Sequence, residues 1–262
     1  MPKKIETETQ LLRLLGNSPL QIDIDLLQLS SHKAKNTSAD HLIKFYKTFD
    51  EVKQNRYDGM IVTGAPVETL EYNEVDYFDE LCEIMDWADK NVYSSFFICW
   101  GAQAALYHYY GVKKYMLPKK MFGIFEHKTL IPNHNLLRGF DDVFFAPHSR
   151  HTEVREKDIR DAGVDVLSTS DDAGVYIAAD HDCRKFFVMG HSEYDTGTLA
   201  AEYFRDKNKG LDIELPVNYF PDDDETKLPM WKWRSHANLM FTNWLNYFVY
   251  QRTPFDLSEL DK

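Results

Sequence analysis

The spacing of hydrophobic positions in the first part of the chain changes repeatedly between a helical and a strand pattern. Leu11, Leu12, Leu14 and Leu15 have helical spacing and end at Gly16. In chain order, the pattern predicts helices over residues 6–15, 48–56, 74–90 and 99–106, and strands over residues 21–27, 59–63 and 94–98. Strands that alternate with helices are joined by crossovers and lie parallel, so an α/β fold is expected.

The middle of the chain has a different pattern, because short apolar runs follow one another closely. They cover residues 122–125, 143–145, 164–167, 175–178 and 186–189. This spacing predicts hairpin-like additions to the main sheet. Helices are predicted again over residues 196–206 and 235–250. No repeat, low-complexity tract or linker interrupts the chain, so a single domain over residues 1–262 is expected.

The composition is that of a globular protein with an acidic surface. The chain has 262 residues, 44% of them hydrophobic, and a net charge of −12. Such a surface repels phosphate backbones, so no nucleic-acid partner is expected, although a local basic pocket for a phosphorylated ligand remains compatible. The first residues lack the apolar segment of a signal peptide, and no apolar run approaches the ~18 residues of a membrane span. We therefore expect a cytoplasmic protein with no membrane partner.

One of the three cysteines has the setting of a nucleophile. An odd count without a CxxC pair argues against a disulfide framework and a structural zinc site. Cys82 lies inside a predicted helix and Cys183 in a polar turn, whereas Cys99 lies between a buried strand and a helix. A nucleophile at such a turn is exposed at the carboxyl edge of the sheet, where the helix N-terminus favours the thiolate. The alternative is a buried, inert cysteine.

A base and a carboxylate stand at the end of another predicted strand. His191 follows the apolar run at residues 186–189, and Glu193 comes two residues later. Together with Cys99 they can form a triad in which the carboxylate orients the imidazole ring. The alternative is a solvated histidine followed by a helix-capping glutamate.

Backbone amides near Cys99 are candidates for an oxyanion hole. The amide of Trp100 follows the nucleophile and points toward an oxyanion formed there. The loop at residues 63–66 also ends a strand, and Ala65 in it is a candidate second donor, although a plain Gly-Pro turn is equally compatible. His148 and His151 lack a third ligand of fixed spacing, so no metal site is expected.

Six segments together resemble the homoserine O-acyltransferase family, which performs the first committed step of methionine synthesis. They are residues 2–8 (PKKIETE), 63–66 (TGAP), 99–103 (CWGAQ), 146–150 (APHSR), 190–195 (GHSEYD) and 233–238 (WRSHAN). The resemblance implies a flavodoxin-like three-layer α/β sandwich, similar to class I glutamine amidotransferases, with a mostly parallel sheet and added short strands. Family members usually begin earlier, with an apolar strand that runs into Pro-Lys-Lys. The first family strand is therefore expected to be missing here.

The resemblance also implies roles for individual residues. Cys99 would be acylated by an acyl-CoA, with His191 as general base and Glu193 as its orienting partner. The positions that match the family's contacts to the amino-acid substrate are Lys120, Ser149 and Arg205. From the residues alone, Arg205 on a predicted helix suits a substrate carboxylate, or is a solvated surface arginine.

Glu68 falls where the family distinguishes acyl donors, since a glycine there accompanies succinyl-CoA and a glutamate accompanies acetyl-CoA. Without the resemblance, Glu68 would be taken for a surface carboxylate. The expected protein is a homoserine O-acetyltransferase with no bound cofactor, with acetyl-CoA and L-homoserine as substrates. A homodimer is an open alternative to a monomer.

Three other interpretations of the sequence remain. The first is a homoserine O-succinyltransferase. The second is a glutaminase-type amide hydrolase with the same triad, although such enzymes usually have a glycine two residues before the cysteine, where this chain has Phe97. The third is an inactive fragment that lacks its N-terminal segment.

Overall fold

A computed structural model describes residues 4–31 and 38–254 of the chain. The helices are α1 Lys4–Leu15, α2 Ala39–Phe45, α3 Phe49–Val52, α4 Phe78–Asn91, α5 Trp100–Tyr110, α6 Glu156–Asp161, α7 Thr198–Asn208 and α8 Arg234–Asn243. The strands are β1 Leu26–Gln28, β2 Tyr46–Thr48, β3 Tyr57–Val62, β4 Val92–Ile98, β5 Tyr115–Thr129, β6 Val143–Glu153, β7 Asp165–Ser170, β8 Gly174–Ala179 and β9 Lys185–Val188. A π-helical segment, Trp244–Tyr250, continues α8.

The main sheet is mixed, with the strand order β3-β4-β9-β8-β7-β5-β6. Strands β3, β4 and β9 are parallel, and the remaining neighbours pair antiparallel. The α/β class and the hairpin additions are therefore confirmed. The register pairs Val62 with Phe97 and Ile98 with Val188. The carboxyl ends of the three parallel strands thus meet at one edge of the sheet.

Alternate residues of β4 pack on opposite faces of the sheet and divide the core into two layers. Phe96 packs against Phe241 and Trp244 of the C-terminal helical segment, with ring centroids 5.2 Å and 5.3 Å away. Phe97 points to the other face, where it stacks on Phe187 in the layer covered by α4 and α5. Each fully buried ring of this kind contributes roughly 1.5–3 kcal/mol. Helices cover both faces, as expected for a three-layer sandwich.

The segment before β3 departs most from the expected structure. The strand predicted over residues 21–27 is reduced to Leu26–Gln28, which pairs in parallel with β2. The alternating apolar residues of this segment are not all buried in a core, because Ile24 is 39% exposed. Helices α2 and α6 and strand β2 were not predicted. The helix predicted over residues 74–90 begins only at Phe78, after a 3-10 turn at Tyr72–Glu74.

Two findings bear on the remaining sequence expectations. Among residues 4–31 and 38–254, no helix is long and apolar enough to cross a membrane. Of the segment at residues 2–8, Pro2 and Lys3 lie outside the described residues.

Candidate active site

Cys99 occupies a strained turn between β4 and α5. Its φ of 53° and ψ of −119° are unusual for a residue with a side chain, and such strain is typical of functional sites. The turn is held because the Cys99 N–H donates to the Val188 carbonyl at 2.7 Å, and the Cys99 carbonyl accepts from the Ala102 amide at 3.0 Å. The expectation of an exposed cysteine is wrong, since Cys99 is only 4% exposed.

Two glycines explain why Cys99 is buried. A Cβ on Gly64 would lie 3.2 Å from the Cys99 Cβ, so the loop after β3 passes directly over the thiol-bearing residue. A Cβ on Gly101 would lie 2.8 Å from the Val62 carbonyl, so the start of α5 crosses the end of β3 at a distance that only glycine tolerates. The two glycines therefore bring the strand ends around Cys99 together.

His191 and Glu193 form a buried pair beside Cys99. His191 Nδ1 lies 2.6 Å from Glu193 Oε1, and the imidazole stacks on the Tyr194 ring at 4.2 Å between centroids. The backbone N–H of His191 donates to the Pro147 carbonyl at 2.8 Å, which fixes the loop after β9 against β6. With Nδ1 engaged by the carboxylate, Nε2 is the nitrogen left for Cys99.

The charges around His191 favour its protonated form. Burial lowers the pKa of the imidazole, but the facing Cys99 thiolate and the Glu193 carboxylate outweigh burial and hold the pKa well above 6.5. Glu193 is 1% exposed, and its Oε2 has no hydrogen-bond partner in the described part of the chain. The arrangement therefore favours a protonated His191 facing Cys99. An adjacent imidazolium is one of the features of nucleophilic cysteines.

The two candidate oxyanion donors are the backbone amides of Trp100 and Ala65, which lie near the strained turn at Cys99. Trp100 is the first residue of α5, and Ala65 follows the glycine that contacts Cys99. Within residues 4–31 and 38–254, neither the Trp100 amide nor the Ala65 amide donates a hydrogen bond. Both amides are thus free to donate to an oxyanion formed on an acyl group at Cys99.

The predicted substrate residues converge on a carboxylate that the sequence analysis missed. Ser149 Oγ donates to Glu202 Oε2 at 2.6 Å, and Lys120 Nζ lies 3.4 Å from the same oxygen. The hydroxyl of Tyr194, whose ring stacks on His191, donates to Glu202 Oε1 at 3.1 Å. The spacing of Glu202, three residues before Arg205 on α7, places both on one helix face and was an available signal.

Arg205 lies at the edge of this cluster and is paired with its neighbour. Its Nε and Nη2 lie 2.6 Å and 2.8 Å from the two carboxylate oxygens of Asp206. This bidentate pair raises the pKa of Arg205 and lowers that of Asp206. The guanidinium that was predicted to hold a substrate carboxylate already holds a carboxylate of the chain.

Glu68 lies close enough to His191 and Lys120 for the charges of both to act on its carboxyl. Its Oε1 accepts from the His151 amide at 3.0 Å, and Lys114 Nζ donates to the Glu68 carbonyl at 2.6 Å. Burial raises the pKa of the Glu68 carboxyl, against the opposing effects of the His151 hydrogen bond and of the charges of His191 and Lys120. Glu68 is therefore within electrostatic reach of both halves of the site and is not a solvated surface carboxylate.

A buried polar network around Arg150 lies near Cys99. Arg150 is 2% exposed and donates to the carbonyls of Thr152 and Ala173, each at 2.6 Å. It makes no ion pair among the described residues. Burial lowers the pKa of Arg150, and Cys99 is the strongest of the groups that oppose this effect. His148 Nε2 lies 3.0 Å from His127 Nε2, and burial lowers the pKa of His127 to about 3.

His148 and His151, the two histidines considered above as metal ligands, do not form a metal site. His148 is buried in this network, whereas the His151 side chain is exposed. In the two described segments, no group of three or more His, Cys, Asp or Glu side chains is placed to hold a metal ion.

Comparison with known proteins places the chain in a family. A sequence profile described as homoserine O-succinyltransferase matches residues 1–255. The chain belongs to the homoserine O-succinyltransferase family. Relatives named homoserine O-acetyltransferase from Acetivibrio thermocellus and Methanomethylophilus alvi are 64% and 56% identical, over 99% and 100% of this chain and 86% and 85% of theirs. The resemblance seen in the six motifs is confirmed, and membership of this family makes the protein an acyltransferase.

Two solved structures of similar fold are described as a glutamine amidotransferase and a glutaminase domain. One from Thermotoga maritima has a TM-score of 0.57 at 12% identity and covers 86% of this chain and 98% of that one. The glutaminase domain of a Trypanosoma brucei CTPS has a TM-score of 0.53 at 15% identity, over 82% of this chain and 91% of the domain. At this identity the likeness concerns the fold alone, and it agrees with the class I glutamine amidotransferase fold expected for the family.

Proposed function

We propose that this protein is a cytoplasmic homoserine O-acetyltransferase, which transfers the acetyl group of acetyl-CoA to the side-chain hydroxyl of L-homoserine as the first step of methionine biosynthesis. The observation that carries the proposal is the placement of Cys99, His191 and Glu193 beside the cluster around Glu202. The high identity to relatives named homoserine O-acetyltransferase supports the same activity. The reaction needs a co-substrate thioester and no prosthetic group.

The first half-reaction forms an acyl-enzyme. The Cys99 thiolate attacks the thioester carbonyl of acetyl-CoA, and the amides of Trp100 and Ala65 donate to the oxyanion. When the tetrahedral intermediate collapses, the bond to CoA breaks, and the imidazolium of His191 protonates the leaving thiolate. Cys99 is left as an acetyl thioester and His191 as a neutral base.

The second half-reaction passes the acetyl group to homoserine. His191 Nε2 removes the proton from the homoserine hydroxyl, whose oxygen attacks the Cys99 thioester. Collapse of this intermediate releases O-acetyl-L-homoserine and restores the thiolate–imidazolium pair. Glu193 stays ionised throughout and keeps Nδ1 as the donor nitrogen, so that Nε2 exchanges the proton.

The cluster around Glu202 holds the amino acid. Homoserine carries an α-ammonium and an α-carboxylate, and the cluster offers both complementary charges. We assign the ammonium to Glu202 in place of its contact with Lys120, and the carboxylate to Lys120, Ser149 and Arg205. Binding then exchanges internal ion pairs for pairs with the substrate, which limits the cost of burying its charges.

Glu68 sets the choice of acyl donor in this proposal. Succinyl-CoA carries a terminal carboxylate, and two carboxylates ~4 Å apart at an effective dielectric of 20 repel by roughly 4 kcal/mol. That corresponds to about a thousandfold in selectivity. The acetyl group lacks the charge and is shorter, so it fits beside Glu68.

The activity is tested by the release of free thiol from acetyl-CoA with and without L-homoserine, together with mass-spectrometric detection of O-acetyl-L-homoserine. The proposal expects product formation that depends on homoserine. Glutamine hydrolysis in the absence of both compounds would indicate a glutaminase, and no turnover of any of these substrates would indicate an inactive fragment.

Donor choice is tested with Glu68→Gly and Glu68→Gln. Gln removes the charge and keeps the bulk, whereas Gly removes both, so the pair separates repulsion from space. We expect the ratio of kcat/KM for succinyl-CoA to that for acetyl-CoA to rise in both variants and more in the glycine variant. A wild-type preference for succinyl-CoA, or an unchanged ratio in Glu68→Gly, would contradict the assignment.

A further inference from the structure

An open groove lies between α1, the start of α8 and the segment that precedes α8. Its volume is about 550 Å³ around Trp231, Lys232 and Arg234, and an adjoining part of about 460 Å³ reaches Arg13 on α1. Asn238 lines both parts. The segment at residues 233–238, one of the six motifs noted in the sequence, thus forms much of a surface that the proposed chemistry does not use.

The groove concentrates positive charge on an acidic protein. The guanidinium carbons of Arg13 and Arg234 lie 5.2 Å and 4.2 Å from the Trp231 ring centroid. Lys232 also lines the groove, and its Nζ donates to the Asn218 carbonyl at 3.0 Å. None of the described residues that line the groove is an aspartate or glutamate. Arg13 pairs with Asp195, but neither Arg234 nor Lys232 forms an ion pair in the described parts of the chain. In a chain with a net charge of −12, this is a local cationic surface.

The groove is built directly on the loop that carries His191 and Glu193. Arg13 Nη2 donates to the Glu193 carbonyl at 3.1 Å. The ring of the buried Trp233 lies 6.0 Å from that of Trp231 between centroids, and its indole N–H donates to the Tyr194 carbonyl at 3.0 Å. A ligand that lies on the groove is therefore adjacent to the loop that carries His191 and Glu193.

We propose that this groove binds the phosphate-bearing nucleotide end of the CoA thioester, with Arg234 and Lys232 as the phosphate contacts. This inference rests on the proposed function, since acetyl-CoA is its polyanionic substrate. Guanidinium and ammonium groups recognise phosphate by charge-assisted hydrogen bonds, and an arginine already held on an indole loses little freedom on binding. The remaining contacts of CoA then run along the catalytic loop toward Cys99.

The test compares two acyl donors in Arg234→Ala. The substitution removes an exposed side chain, and the hydrogen bond of Asn238 to the Arg234 backbone carbonyl is kept. We expect the KM for acetyl-CoA to rise by about tenfold, as for a lost hydrogen bond between charged groups. The KM for S-acetylpantetheine, which lacks the nucleotide, and the KM for homoserine should stay unchanged. Arg160→Ala on α6, where the arginine pairs with Glu156 on the surface, is the matched control and should change none of them.

A binding measurement makes the inference independent of turnover. By calorimetry, adenosine 3′,5′-bisphosphate should bind the wild type about tenfold more tightly than Arg234→Ala, and it should inhibit competitively against acetyl-CoA. Inorganic phosphate at the same concentration should not inhibit. Equal losses on both thioesters, an unchanged KM for acetyl-CoA, or inhibition that is not competitive with acetyl-CoA would overturn the inference. If the wild type turns over neither thioester but still binds the bisphosphate through Arg234, the proposed function is wrong, and the inference that the groove binds a phosphorylated nucleotide holds.

Discussion

The two halves of the site are built in different ways. Cys99, His191 and Glu193 are buried, and they lie on the ends of neighbouring parallel strands whose register brings them together. The substrate half comes from antiparallel strands β5 and β6 and from α7, and its charged groups are paired with one another. The catalytic half is thus assembled by the backbone, and the substrate half by side-chain ion pairs.

This difference separates chemistry from recognition. Strand pairing and the glycines at 64 and 101 fix the backbone of the proposed triad. In the proposed substrate half, Glu202 is paired with Lys120 and Arg205 with Asp206, and the proposal has the charges of the amino acid replace these pairs. Substitutions in the first half should therefore lower kcat, and those in the second half should raise the KM for homoserine.

Glu193→Gln gives the largest expected effect, because it removes the buried charge that orients His191. We expect kcat to fall by on the order of 10³–10⁴, as when the carboxylate of a catalytic triad is replaced by its amide. The pKa of His191 should fall as well, since the carboxylate raises it. Steady-state kinetics and an NMR titration of the imidazole measure the two effects. Glu214→Gln is the control, because Glu214 is an exposed carboxylate that pairs with Lys119 on the surface. An unchanged His191 titration would contradict the account.

Glu202→Gln should act mainly on homoserine. Losing the charge removes a charge-assisted hydrogen bond to the substrate ammonium, worth about 1.5–3 kcal/mol, or roughly 10–100-fold in the KM for homoserine. Burst release of CoA from acetyl-CoA alone should be unchanged.

Arg205→Lys should also raise the KM for homoserine, because lysine cannot pair bidentately. If either substitution slowed the CoA burst as much as the full reaction, the division between the two halves would be wrong.

Gly101→Ala tests whether the backbone fixes the catalytic half. The added Cβ would meet the Val62 carbonyl at 2.8 Å, so α5 must shift from β3. We expect a loss of about 1–3 kcal/mol in the free energy of unfolding, measured by denaturant titration. Gly197→Ala is the matched control, since nothing lies within 4 Å of its added Cβ. Equal stability of the two variants would mean that the close approach is not needed.

The pH dependence of donor choice should show the smallest effect. Because burial raises the pKa of Glu68, its carboxylate takes up a proton at a higher pH than an ordinary glutamate. Repulsion of succinyl-CoA is then lost as the pH falls, and the succinyl-to-acetyl ratio of kcat/KM should rise a few-fold from neutral to about pH 5. In Glu68→Gln the ratio should not depend on pH in this way. If the wild-type ratio did not change over this pH range, the charge of Glu68 would not be the cause of the donor preference.

The sequence was informative where one local signal determines a position. A buried run that leads into an Ala-rich helix placed Cys99 at a turn, and a second run that ends before His191 placed the base on the next strand end. Glu202 was missed because its partners are far apart in the chain. Lys120 and Ser149 come together through the pairing of β5 with β6, and Tyr194 comes from the loop after β9. The burial of Cys99 was missed for a similar reason, since it depends on a loop from another strand.

Other expectations depended on contacts that no local pattern contains. The alternation at residues 21–27 predicted a strand, but most of that segment has no partner strand in the described structure. The site roles and the single domain stay predictions.

The central claim is that Cys99 carries the acetyl group between the two substrates. Incubation with acetyl-CoA in the absence of homoserine, followed by intact-protein and peptide mass spectrometry, measures it directly. The account predicts the mass of one acetyl group on Cys99, its loss on addition of L-homoserine with formation of O-acetyl-L-homoserine, and no acetylation in Cys99→Ala. An acetyl group that persists in Cys99→Ala, or that homoserine does not remove, would contradict it.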